Sequence, residues 1–301
     1  MPLITSDRRS RPGIVLSVLS VLSACLGARG ASGDDPVAAA TQPQDVRRID
    51  DYADALAAAR DAGAMLLVSV EPGSGDAADV VDARLARADV RERFTRSGTP
   101  WLTCRVTGAA ADALVADPAL TEMRRGPGVF VIDHAHPEWD GRVVSILPRT
   151  PGKYYRFEPS HVDELAALPS GSLTQRSMVL AVRIHPEAPQ STCGTCDPTL
   201  CREATAHSGH QAAIRRQGHH GWDARSQRVV GAAGGAGSAS EVCAESWEHQ
   251  DLLDSCVDCV ASWRQSSGHW GAVRAPQAAF GYDIRQGTNG IWYATGIFLS
   301  R

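Results

Sequence analysis

The chain has 301 residues, of which 43% are hydrophobic and 21% are charged, and its formal net charge is −4. This length leaves room for two domains of ordinary size. The weakly acidic balance excludes a strongly basic nucleic-acid-binding protein, so we expect no nucleic-acid partner.

Residues 1–30 have the features of an export signal. Arg8, Arg9 and Arg11 form a positive segment, and the apolar run of residues 14–26 follows it. A run of thirteen residues is too short to cross a bilayer as a helix. We therefore expect the mature protein to lie outside the cytoplasm, in the extracellular space, in a periplasm or anchored by lipid to the cell envelope.

Two fates of this leader are open. Residues 22–25 (LSAC) resemble the bacterial lipobox, which makes Cys25 a lipidation site and the only expected attachment to a membrane. The alternative is ordinary cleavage near Ala28 or Ala31, which discards Cys25 with the leader.

After a small, polar linker at residues 31–45, helical and strand patterns alternate. We predict helices over 52–60 and 77–94, buried strands over 64–70 and 101–106, and a strand hairpin over 129–133 and 142–147. This order resembles the thioredoxin fold over residues 46–168, with Pro127 at the position of that fold's cis-proline. Where the family carries its Cys-x-x-Cys, residues 71–78 read EPGSGDAA and contain no cysteine, so we predict a redox-inactive domain.

Residues 169–198 are predicted to connect two domains, with a lone strand at 178–184. Cys193 and Cys196 lie at the end of this region, and seven cysteines remain in the chain after Cys25. In an oxidising compartment, disulfides or buried thiols are expected in preference to a zinc site, and an odd number leaves one cysteine unpaired. The pairing stays open.

Residues 199–301 begin with a predicted helix at 199–217, on which Glu203, His207 and His210 are interpreted as a solvated face. A second helix is predicted at 251–265, and residues 280–298 alternate as a β-hairpin should. Between these elements lie three motifs in a fixed order: GHHGWDAR at 218–225, EVCAE at 241–245 and WRQSSGHW at 263–270. The three motifs and the hairpin resemble the CAP superfamily, also called SCP-like extracellular domains.

Together the two resemblances imply an α/β protein with an N-terminal thioredoxin-like domain followed by a CAP-type α-β-α sandwich. The CAP resemblance implies that His219, Glu241 and His269 line a cavity, with His219 and His269 as ligands of zinc or another divalent cation. Because EVCAE lacks the family's usual Asn after the glutamate, Glu245 competes with Glu241 for the inward position. The family's second cavity glutamate falls near Ser266 and is absent, so a ligand position stays open on the metal.

The leading functional hypothesis is an extracytoplasmic binding module for an apolar small molecule or a cell-envelope component, without catalysis. One alternative is a zinc-dependent hydrolase in which Glu241 is the general base. A third is a purely structural envelope protein that contacts other proteins. No nucleophile elbow, His-Glu-x-x-His helix or phosphate-binding loop occurs in the sequence to favour catalysis.

Overall fold

The computed structural model describes residues 46–73 and 80–300 as a mixed α/β structure built on two mixed β-sheets. The predicted export signal with Cys25, the linker of residues 31–45 and most of the loop at 71–78 lie outside these residues.

The first half of the chain forms a five-stranded sheet in the order β1-β3-β2-β4-β5. Strands β1 and β2 run parallel to β3, and β4 and β5 are antiparallel to their neighbours. Its elements are β1 (Arg47–Arg48), α1 (Tyr52–Ala62), β2 (Met65–Glu71), α2 (Val80–Leu85), α3 (Ala88–Arg96), β3 (Trp101–Thr107), α4 (Gly108–Val115), β4 (Gly128–Asp133), β5 (Arg142–Pro148) and α5 (His161–Leu165).

The four strands predicted in this half and its first helix are confirmed. Helices cover both faces of the sheet. Along β2, Leu66 and Val68 pack with α1 and α4, whereas Met65 and Leu67 pack toward α3 and α5. The single helix predicted over 77–94 is two helices where it is described, because Arg87 is extended between them. Pro127 follows a trans peptide bond, since the described part of the chain has no cis bond.

The lone strand predicted at 178–184 is wrong: this run lies in helix α6 (Leu173–Arg183). Ser172 and Gln175 form a reciprocal capping box that fixes its start. The run from Met178 to Val182 is buried on all sides. A short, continuous apolar run suits a buried helix as well as a buried strand, and periodicity cannot separate the two.

The second half forms a four-stranded sheet in the order β6-β8-β9-β7, in which β6 runs parallel to β8 and the other pairs are antiparallel. The helices predicted at 199–217 and 251–265 and the hairpin predicted at 280–298 are confirmed. The elements are β6 (Thr195–Cys196), α7 (Pro198–Ile214), α8 (Trp222–Ala232), β7 (Ser238–Glu245), α9 (Leu252–Arg264), α10 (Ser267–Arg274), β8 (Ala279–Gln286) and β9 (Trp292–Ser300).

Helices cover both faces of this second sheet. Ile297 and Leu299 of β9 pack with Leu200 of α7 and Val229 of α8. On the opposite face, β8 and β9 pack against α9, α10 and α6 within a larger core. The second sheet is therefore the middle of three layers, and β7 is its edge strand beside α8 and α10.

One apolar cluster joins the two halves, and α6 lies at its centre. This helix contacts β5 of the first sheet, β8 of the second and α9. Its fully buried Arg176 donates to Ser145 Oγ and to the carbonyls of Leu168 and Pro169. Among the residues described, no helix is both long and apolar enough to cross a bilayer.

Candidate functional site

The structure brings His219, Glu241 and His269 together at the β7 edge of the second sheet. His219 precedes α8, Glu241 lies within β7, and His269 lies in the first turns of α10. His219 Nδ1 is 2.9 Å from Glu241 Oε1, and His219 Nε2 is 3.4 Å from His269 Nε2. Three residues spread over fifty positions of sequence thus form one contact chain.

Glu241 is the buried member of this chain. Its side chain is 1% exposed, whereas that of His219 is 42% exposed. Arg225 Nε donates to Glu241 Oε2 at 2.6 Å, so the two carboxylate oxygens bind different partners. Glu245, the alternative inward glutamate, is exposed at the end of β7.

The hydrogen bond to Glu241 selects one tautomer of His219. A carboxylate only accepts, so His219 Nδ1 carries the proton and the lone pair lies on Nε2. That nitrogen faces His269 at the exposed side of the site. Burial, followed by the nearby His219, lowers the pKa of His269 and favours its neutral form, which has a ring nitrogen able to bind a metal.

A buried group behind these residues was missed by the sequence reading. His207, Glu241 and Cys243 each offer a ligand atom, and these atoms lie within 4.8 Å of one another. The group could hold a metal ion. His207 was interpreted as part of a solvated face, yet it is 2% exposed, because it shares the inward face of α7 with Ala204 and Gln211.

The bonds that this buried group already makes limit its use as a metal site. His207 Nε2 lies 2.8 Å from the Gly218 carbonyl, which can only accept, so this nitrogen is protonated. Burial raises the pKa of the Cys243 thiol, and the charge of Glu241 raises it further. Burial also lowers the pKa of His207. The group thus presents a donor nitrogen and a neutral thiol. A metal bound at His207 Nε2 requires the ring proton to move to Nδ1 and the Cys243 thiol to lose its proton.

Polar contacts of the sheet and α7 hold the loop that carries His219. Gln211 Nε2 donates to Thr295 Oγ1, and Gln211 Oε1 accepts from the Gly218 amide. Gln217 Nε2 donates to the Cys243 carbonyl. The loop is therefore fixed at Gln217 and Gly218, which positions His219 before any ligand arrives.

A second group of histidines, formed by two residues of α7 and one that precedes α8, lies next to the contact chain of His219, Glu241 and His269. The rings of His207, His210 and His220 lie 5.8 to 6.3 Å apart between centroids. They line a cavity of about 360 Å³ with Arg225 and Arg228. Five histidines thus lie at this end of the second sheet, and His210 and His219 are the exposed ones among them.

The seven cysteines of the described residues are unbonded. Cys256 and Cys259 are fully buried on α9, and burial raises the pKa of both thiols. Cys104 is buried in β3, as expected of a small hydrophobic residue, and its pKa is raised to about 11 by burial. The closest thiols are Cys196 and Cys201, whose sulfurs are 3.3 Å apart.

No protein-family model matches this chain, and a search of curated proteins finds no significant match.

Proposed function

We propose that this protein is an exported binding module whose C-terminal CAP-like domain uses a divalent metal ion, best suited to zinc, held by His219 and His269. The metal would structure a cleft for an apolar small molecule or a cell-envelope component. Export rests on the leader sequence, with lipidation at Cys25 as one route.

The spacing of the two ring nitrogens carries the proposal. Zinc binds histidine nitrogen at about 2.0–2.1 Å, and two tetrahedral ligands are then about 3.3–3.4 Å apart. His219 Nε2 and His269 Nε2 are 3.4 Å apart. The two residues thus fit one ion with little movement, and both rings reach the solvent side of the site.

Glu241 supports the same site from behind. A carboxylate on the far nitrogen of a histidine ligand fixes the ring and makes the binding nitrogen more basic. Glu241 Oε1 occupies this place at His219 Nδ1. We therefore assign Glu241 to orienting His219, not to direct metal binding, and the remaining metal positions are free for ligand or water.

The same contacts disfavour the hydrolase alternative. A general base needs an oxygen free to take a proton from water. Both oxygens of Glu241 are engaged, one by His219 and the other by Arg225, and the side chain is almost wholly buried. The binding function is consistent with this arrangement, in which Glu241 orients His219 and takes no proton.

The N-terminal domain is proposed to be thioredoxin-like and redox-inactive. Its alternating helices and strands, followed by the β4–β5 hairpin, support this, and the trans bond before Pro127 is a departure from the family pattern. Residues 71–78 offer no thiol. We assign this domain a scaffold role for the metal-dependent one.

Metal binding by purified protein tests the proposal. We expect one zinc ion per chain by elemental analysis, and at least about tenfold weaker binding in His219→Ala and in His269→Ala, measured by competition with a chromophoric chelator. His249→Asn is the matched control, since His249 is exposed and Asn tolerates its positive φ of 63°.

The proposal fails if the protein binds no zinc, or if neither histidine substitution changes zinc affinity. Catalysis in a broad hydrolase screen that requires zinc and is lost in Glu241→Gln would instead favour the hydrolase. Export by the lipobox route predicts that labelled palmitate enters the wild-type protein but not a Cys25→Ala variant.

A further inference from the structure

We propose that Cys196 and Cys201 form a redox-active dithiol that exchanges with a small-molecule disulfide bound in the cleft beside them. This activity is separate from the proposed metal site and does not depend on it.

The two sulfurs are placed for bond formation. Cys196 ends β6, and Cys201 lies in the first turns of α7, five residues later. Their sulfurs are 3.3 Å apart, compared with about 2.05 Å in a disulfide. Asp197 lies between them in sequence and caps α7 by accepting from the amides of Thr199 and Leu200. The capped start of the helix therefore holds the two thiols in fixed positions.

The pair is also asymmetric, as exchange requires. The hydrogen bond between the two thiols, together with the charge of Arg183, lowers the pKa of Cys196. The same bond and burial raise the pKa of Cys201. Cys196 is therefore the thiol that ionises first and attacks, and Cys201 is the one that follows.

A cleft gives a substrate access to this pair. Both thiols line a cavity of about 350 Å³ that lies between the β4–β5 connection and the start of α7. Trp139 and Pro169 provide apolar walls, and Glu138 and Arg202 carry opposite charges on its lining. Walls of this kind suit a disulfide that bears ammonium and carboxylate groups, such as an amino-acid disulfide.

The remaining thiols of the described chain are less suited to the reaction. Cys104, Cys243, Cys256 and Cys259 are buried, and their pKa values are raised by burial. Cys193 is exposed three residues before Cys196, so it is the natural competitor and must be controlled.

The exchange balances as two successive substitutions. The Cys196 thiolate attacks one sulfur of the substrate disulfide; a mixed disulfide forms, the substrate S–S bond breaks, and the first thiolate leaves and takes up a proton. Cys201 then loses its proton and attacks the sulfur of Cys196, which releases the second half of the substrate as a thiol. The two cysteines are oxidised by two electrons, and one substrate disulfide is reduced to two thiols.

Reaction of the fully reduced protein with L-cystine tests the proposal. We expect two cysteines released per chain and a disulfide between Cys196 and Cys201 in the peptide map. Cys201→Ser should stop at the mixed disulfide, with one cysteine released and one retained on Cys196. Cys196→Ser should lose the reaction, and Cys193→Ser should react as the wild type does.

The proposal is overturned if L-cystine does not react with the native protein, or if Cys196→Ser reacts at the wild-type rate. A peptide map that links Cys193 to either partner in the wild type also overturns it. Because the wild-type map alone decides the pairing, a variant that does not fold leaves the test intact.

Discussion

At the scale of single residues, Glu241 connects a buried arginine to an exposed histidine. Arg225 holds one of its oxygens and His219 the other, so the carboxylate is fixed from both sides. Its negative charge is what makes His219 Nε2 a better donor to a cation.

Replacing that charge should weaken metal binding without removing a ligand. We expect Glu241→Gln to lower zinc affinity by about 10–100-fold, because glutamine preserves the volume but not the charge behind His219. Chelator competition measures the loss, and circular dichroism confirms that the variant is folded. Unchanged affinity in a folded Glu241→Gln protein would remove Glu241 from the site.

His161 supplies a pH-dependent contribution to stability. It is 8% exposed, and its Nδ1 accepts from the Glu158 amide, an arrangement that requires the neutral ring. Burial lowers its pKa below the ordinary value of 6.5. An unfolded chain therefore binds more protons just below pH 6.5, and the stabilisation present above that pH is lost as the pH falls through this window.

We accordingly expect the free energy of unfolding to fall less between pH 7 and pH 5 in His161→Phe than in the wild type. Urea denaturation at several pH values measures this difference. His249→Asn, on an exposed residue, should keep the wild-type dependence, and equal slopes in the wild type and His161→Phe would show that His161 does not contribute.

At the scale of elements, helix α7 lies unusually close to strand β8. A Cβ added at Gly281 would lie 2.3 Å from the amide nitrogen of Cys201 and 2.3 Å from the carbonyl carbon of Leu200. These are backbone atoms, which cannot rotate away as a side chain can. The absence of a side chain at Gly281 is thus what lets the helix approach the sheet.

Gly281→Ala should therefore destabilise the protein by about 1–3 kcal/mol through overpacking. Gly209→Ala is the matched control on α7 itself, because no atom lies within 4 Å of the added Cβ there. It should stabilise the helix by about 0.5–1 kcal/mol. Thermal denaturation should show a lower melting temperature for Gly281→Ala and a higher one for Gly209→Ala than for the wild type. Equal melting temperatures would refute the close approach of α7 to β8.

How far the sequence could predict these elements depended on their surroundings. The hairpin of β8 and β9 was predictable, because turn residues join two runs rich in aromatic and β-branched residues. The apolar run of α6 was not, because residues 178–182 are all buried and leave no polar face in that run to reveal its period. His207 was misjudged for a related reason, because its neighbours His210 and Glu203 on the helix are also polar. Only the packing of α7 against the sheet shows that His207 faces inward.

The candidate site was predictable only in its residue types. The three motifs singled out His219, Glu241 and His269, but no spacing in the sequence states that His269 reaches His219 across an edge strand. Cys243 was missed as a neighbour of Glu241 because no strand was predicted at 241–245. Residues two apart lie on the same face of a strand, so β7 places the two side chains together.

At the scale of the whole molecule, α9 is bonded directly to the segment that follows the first sheet. Asp254 of α9 accepts from the amides of Tyr154 and Tyr155, each at 2.7 Å. The amide of Leu252 at the start of α9 donates to Glu122 of the first half at 2.6 Å. Together with α6 and the shared apolar cluster, these bonds connect the two halves directly.

We expect one unfolding transition, with peptides of β4–β5 and of β8–β9 losing protection together in hydrogen exchange. Asp254→Ala should lower the free energy of unfolding measured at β4–β5 and at β8–β9 by the same amount. We expect about 1–3 kcal/mol for each amide left unsatisfied. Asp61→Ala, on an exposed residue of α1, should leave both unchanged. If Asp254→Ala loosened β8–β9 alone, the halves would be energetically separate.

The central position of α6 also has a consequence for the order in which this protein is made. Strands β4 and β5 and helix α6 are complete once Arg183 has been synthesised, but α9 and β8, which cover the far side of that helix, follow about 70–100 residues later. Until then the nascent chain carries an exposed apolar helix. A chain in this condition exposes apolar surface that the finished protein buries, so we expect chains that end before α9 to aggregate more readily than the full-length protein.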